Sequence, residues 1–170
     1  MRKKLWCSLT AILISLIAFS QNYVYKGNKQ LAATQNWNFQ LASSNLMDNT
    51  LLVCVAKNKT GGYLMLSIEV PFEESISGNI FIILENGKTI TLTSRVVKDH
   101  VDNKSQVLYT IIQAQLLQLA GSSIAKIRFS LKNPPKTFGG MAGNYTATNE
   151  FTDGISTNTW DTAKDISELN

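Results

Sequence analysis

One histidine, His100, and two cysteines, Cys7 and Cys54, are the whole supply of imidazole and thiol groups in a chain of 170 residues. A zinc centre built from such ligands needs at least three of them, and a catalytic triad has only His100 from which to draw its base. The one glycine-dense stretch, Gly139-Gly140-Met141-Ala142-Gly143, lacks the flanking strand, helix and lysine of a phosphate-cradling loop. No Pro- or Ser-rich linker divides the chain and no internal repeat is visible. The only long apolar run, Leu5 to Phe19, is short for a bilayer span.

That run has a different meaning. Arg2, Lys3 and Lys4 precede it, Ala18 and Ser20 stand three and one positions before Gln21, and the polar stretch QNYVYKGNKQ follows. This is the layout of a secretory signal peptide cleaved after Ser20. Residues 1–20 therefore read as a leader, and the mature chain is expected to be secreted or periplasmic, with no integral membrane segment after leader cleavage. Cys7 lies early in the apolar run, so it is not placed for lipidation.

Loss of the leader removes three basic and no acidic residues, leaving thirteen of one against twelve of the other, a net charge of +1. Nucleic-acid binding loses its electrostatic support. The acids Glu150, Asp153, Asp161, Asp165 and Glu168 face Lys164 alone, giving an acidic C-terminal end that reads as solvated. Only Cys54 survives cleavage, so no intrachain disulfide forms. Its setting, LLVCVA, is that of a small buried hydrophobe with a raised pKa.

Period-two alternation dominates the body. Leu64, Leu66, Ile68 and Val70 alternate with Tyr63, Met65, Ser67 and Glu69; Trp37, Phe39 and Leu41 alternate with polar residues, as do Ile90 and Leu92, and Ile127, Phe129 and Leu131. Leu51–Val55 and Ile80–Leu84 are apolar on both faces and are expected as central strands. Asn86-Gly87 predicts a type I′ hairpin, and Asn58 to Gly62 a longer one. Thr110 and Gln113 fit a capping box that opens a helix over about 111–120, with Leu116, Leu117 and Ala120 as its apolar stripe and Gly121 as a left-handed stop. The fold class is thus mainly β: an antiparallel β-sandwich or rolled sheet of about seven strands with one short α-helix. Residues 21–35 are poorly patterned, 36–132 form the β-rich domain, and 133–170 are a polar, acidic segment, either packed on the domain or disordered.

The cleavage region Ala18-Phe19-Ser20-Gln21, together with YTIIQAQLLQLAGSSIAKIRF at Tyr109 to Phe129, resembles uncharacterised exported proteins of Gram-negative bacteria, in which a capped helix precedes an Ile-x-x-Ile-Arg-Phe strand. The resemblance implies export and a helix–strand unit. It brings no activity and no site residues.

His100 stands between Asp99 and Asp102 in VVKDHVDNKSQ, which reads as a polar turn between strands; a cation site from Asp99, His100 and Asp102 is the alternative. Glu73-Glu74 reads as a solvated loop rather than half of a glycosidase pair. No cofactor is expected. Two function classes follow. The first is a non-enzymatic exported domain that binds a protein or polysaccharide through exposed aromatics, with Tyr63, Tyr145 and Trp160 as contacts. The second is a secreted hydrolase whose carboxylates meet only in the fold.

Overall fold

The computed structural model describes residues 22–42, 49–70, 74–93, 95–101, 103–135 and 140–169. The expected leader, residues 1–20, lies outside them, as do Glu73 and Asp102. Among the described residues, no helix is long and apolar enough to cross a membrane.

The chain is mainly β and every strand pairing is antiparallel. Its strands are β1 (Asn22–Lys26), β2 (Lys29–Ala33), β3 (Trp37–Leu41), β4 (Thr50–Asn58), β5 (Gly61–Glu69), β6 (Ser75–Leu84), β7 (Thr89–Leu92), β8 (Arg95–Val101), β9 (Lys104–Ile112), β10 (Ile124–Lys132) and β11 (Gly143–Thr148). Eleven strands share one sheet, more than the seven the alternation predicts. The order runs β7-β6-β10-β11-β3-β4-β5-β9-β8, with β2 also pairing β4 and β1 pairing β2. Two short strands, β12 (Phe151–Thr152) and β13 (Thr157–Asn158), form a separate ribbon, and the helices among the described residues are α1 (Gln113–Gly121) and α2 (Thr162–Ser167).

The sheet is rolled. β7 and β8 stand at opposite ends of the strand order, yet Leu92 and Arg95 are three residues apart, a reach of roughly 11 Å at full extension. The two ends must therefore come together. Across the seam, Tyr109 Oη on β9 donates to Gly78 O on β6 at 2.8 Å, and Ser105 Oγ accepts the Ile76 N–H at 3.1 Å. The inward parity of each strand fills the roll: Trp37 and Phe39, Leu51, Val53 and Val55, Leu64, Leu66 and Ile68, Ile80 and Ile82, Val107 and Tyr109, Ile127 and Phe129 are all buried in one cluster. Burying each aliphatic side chain contributes about 1.5–3 kcal/mol, so this cluster is the main source of stability.

A second, smaller cluster forms on the outside. The β1–β2 hairpin folds over β4, β5 and β9, and Val24, Leu31 and Ala33 pack there on Cys54, Ala56, Met65 and Leu108. This explains why β4 is apolar on both faces. β6 departs from that expectation: its inner residues are buried, but Phe81 on the other face is 42% exposed. The poorly patterned residues 21–35 hold this hairpin. Its signal is Gly27-Asn28 between Lys26 and Lys29, with Gly27 at φ 57 as the first central position of a II′-type turn requires.

Several local expectations shift. In the β6–β7 connection only Gly87 has positive φ, and Gly87 N–H bonds Leu84 O at 3.0 Å, so a type I turn followed by a left-handed glycine replaces the predicted type I′ pair. The β4–β5 loop is two residues, Lys59-Thr60, because Asn58 already pairs Gly61. Helix α1 starts at Gln113 rather than Ile111, since pairing with β5 keeps Thr110 to Ile112 extended. Its capping contact is the Gln115 side chain accepting the Ile112 N–H at 3.1 Å. Leu116 and Leu119 form its buried stripe, whereas Leu117 is 63% exposed. Gly121 is the last helical residue and is not left-handed.

The C-terminal segment is part of the architecture. β11, spelled GNYTAT, sits inside the sheet between β10 and β3. Helix α2 docks beside α1, where Thr162 Oγ1 accepts the Ile124 N–H at 2.8 Å.

Candidate functional site

The expected site residues fall in three separate places. His100 and Asp99 lie on β8, both exposed, and Asp99 Oδ1 accepts the His100 N–H at 2.8 Å. The β8–β9 connection is closed by Val101 opposite Lys104, with Asn103 at φ 61. Asp102 is outside the described residues, and among those described no group of three His, Cys, Asp or Glu is placed to hold a metal ion. Cys54 is buried on β4, and that burial pushes its thiol pKa up to about 12.

Tyr145 and Trp160 hold the C-terminal segment down. Tyr145 stacks on Phe129 with ring centroids 5.7 Å apart and donates its hydroxyl to Met141 O at 2.6 Å. Burial first, and the nearby Glu74 carboxylate second, raise the pKa of that phenol. Glu74 is 1% exposed, not solvated, because its Oε1 accepts the Met141 N–H at 2.8 Å and ties this loop to the start of β6. Trp160 stacks on Phe151 at 4.3 Å and donates its indole N–H to Asn38 O at 3.2 Å. Its backbone exchanges two hydrogen bonds with the Asn149 amide group. Both rings remain half-exposed.

Tyr63 has different company. It lies on the outward parity of β5, at one wall of a cleft of about 940 Å³ between the β1–β2 hairpin and the β4–β5 turn. Lys26, Lys29, Lys57 and Lys59 line this cleft with Asn28, Gln30, Leu31, Ala32, Asn58 and Thr60, and among the described residues no carboxylate lines it. Lys26 Nζ sits 4.5 Å from the centre of the Tyr63 ring and donates to its hydroxyl at 2.8 Å. The ring face and the phenolic oxygen together hold the ammonium group in place. Lys57 donates to Leu169 O at 2.7 Å, so it is engaged in docking the end of the chain. Asn58 Oδ1 accepts from the Thr60 N–H and hydroxyl, which shapes the turn carrying Lys59.

The frame is built to gather charge. Lys26 and Lys29 face each other across the hairpin end, an arrangement of like charges that costs stability. Four of the chain's sixteen basic residues surround this one opening. Alternation alone did not single these lysines out, because each lies in a turn or at a strand end. The local signal was the Gly27-Asn28 dipeptide, which brings Lys26 opposite Lys29. Phe81, also not anticipated, lines a smaller depression of about 500 Å³ with Arg128 and Asn144 on the outer face of β6, β10 and β11.

No protein family, curated protein or solved structure matches this chain.

Proposed function

We propose that this chain is an exported, non-enzymatic binding domain, acting in the periplasm or outside the cell, that engages an envelope or surface polymer through the cleft beside Tyr63. The observation that supports the reading is the gathering of four lysines, with no carboxylate among the described lining residues and Lys26 positioned by Tyr63. A rolled antiparallel sheet supplies a stiff support, and the hairpin that forms one wall is anchored by its own apolar cluster. Tyr63 serves as a holder of Lys26 in this reading, while Tyr145 and Trp160 act chiefly in packing.

Affinity electrophoresis of the mature protein through gels containing envelope polysaccharide tests it. Wild-type protein is expected to be retarded, and a Lys29→Gln/Lys59→Gln variant of unchanged melting temperature to run faster. Equal mobility of the two, or no retardation of either, overturns the reading. Export is tested by intact mass: a mature species beginning at Gln21 supports it, and a secreted or cellular species retaining Met1 overturns it.

A further inference from the structure

We infer that the ligand of this cleft is a linear polysaccharide carrying regularly repeated negative charges, whether from uronate carboxylates or from phosphodiester links. This rests on the binding role proposed above and names the chemistry of its ligand. Three observations converge on it. First, Lys26, Lys29 and Lys59 converge without a lining carboxylate, and the direct opposition of Lys26 and Lys29 is relieved by an anion between them. Second, the Lys26 ammonium has three N–H donors and gives one to the Tyr63 hydroxyl, so two remain for a ligand oxygen while the ring fixes its position. Third, the lining beside the lysines mixes the amides of Asn28, Gln30 and Asn58 with the aliphatic Leu31 and Ala32, so amide groups can pair with sugar hydroxyls while the apolar patch meets the C–H face of a sugar ring.

The same features disfavour two other polyanions. Single-stranded nucleic acid is held by stacking bases on aromatic faces, and the face of the cleft's one ring, Tyr63, is already occupied by Lys26. An acidic protein segment binds most tightly where an aromatic or aliphatic anchor enters a pocket, whereas the aliphatic lining here is limited to Leu31 and Ala32. Lysine, a compact point charge on a flexible stem, suits carboxylate and phosphate alike.

The experiment measures binding of the mature protein to polygalacturonate, to the same polymer after carboxyl reduction, and to a glycerol-phosphate-linked glycan. Oligo-deoxythymidine and polyglutamate serve as the other arms. One or both charged glycans should bind, and raising salt from 50 to 200 mM should weaken binding by roughly twentyfold, as expected when about three lysines release counterions. Lys29→Gln/Lys59→Gln should lose about tenfold at low salt, Tyr63→Phe should lose less, and Lys126→Gln, on the exposed face of β10, should match wild type. Melting temperatures of all variants are measured alongside, and a charge-preserving Lys29→Arg/Lys59→Arg variant should retain binding. Equal binding of the carboxyl-reduced polymer, insensitive to salt and to the lysine substitutions, overturns the charge inference while leaving a binding domain. Tighter binding of oligo-deoxythymidine or polyglutamate overturns the polysaccharide assignment. Binding to none of the five overturns both this inference and the function on which it rests.

Discussion

Asp165, in the last helix, accepts the indole N–H of Trp37 at 2.8 Å across 128 residues of chain. Trp37 is 0% exposed, so its N–H has no water to turn to, and the carboxylate is the partner that satisfies it. The same Oδ2 accepts from Gln35 Nε2 at 3.0 Å. One residue of the acidic C-terminal end is thereby a structural group of the core rim. Asp161 is another, since its Oδ1 caps α2 at Lys164 N and receives the Ser123 hydroxyl.

Asp165→Ala leaves a buried donor without its charged acceptor, and such a loss costs about 1.5–3 kcal/mol. Urea denaturation of the variant should show a lower midpoint with an unchanged slope. Asp165→Asn keeps an acceptor oxygen and should recover part of the loss. A midpoint equal to wild type for Asp165→Ala would show that α2 contributes nothing to the rim.

Gly61 opens β5 at φ 150, and a Cβ there would run into the Ile111 carbonyl of the neighbouring strand. Both the backbone conformation and the space exclude a side chain. Gly61→Ala should destabilise by about 2 kcal/mol or more, against a few tenths for Thr60→Ala on the exposed turn beside it. Thermal melts of the pair decide it; comparable small shifts would contradict the packing of β5 on β9.

Cys54 is held near pKa 12 against an ordinary value of 9.0 because burial disfavours the thiolate. The folded state binds this proton more tightly than the unfolded state does. Its contribution to stability is therefore full below pH 9 and is lost as pH rises toward 12. Ellman's reagent at pH 8 should label Cys54 only in denaturant, and Cys54→Ser should flatten the stability profile above pH 9. Rapid labelling of native protein would show that the β1–β2 hairpin opens readily.

His100 is exposed on β8, and its backbone N–H is the group that Asp99 engages. His100→Ala should change stability by no more than about 0.5 kcal/mol. Calorimetry with and without added calcium gives the check: calcium-dependent stabilisation that disappears in this variant would restore the Asp99, His100 and Asp102 site.

The alternation of Leu64, Leu66 and Ile68, or of Trp37, Phe39 and Leu41, determined which side chains face inward, because successive residues of a strand point to opposite faces whatever the strand pairs with. The two-sided apolar run at Leu51–Val55 likewise announced a strand covered on both faces. What covers the outer face was decided elsewhere: Val24, Leu31 and Ala33 are too few, and too spread among polar residues, to declare a hairpin by themselves. The placement of β7 and β8 at opposite ends of the sheet, the insertion of the polar β11 near its middle, and the seam between Tyr109 and Gly78 all depend on which distant strands meet. So does the cleft. Lys26 and Tyr63 are 37 residues apart and neither belongs to a motif. Facing is a local property written in periodicity, whereas partnership between strands is a non-local competition settled by closing the sheet around its core, and the lysines meet Tyr63 only as a result of that closure.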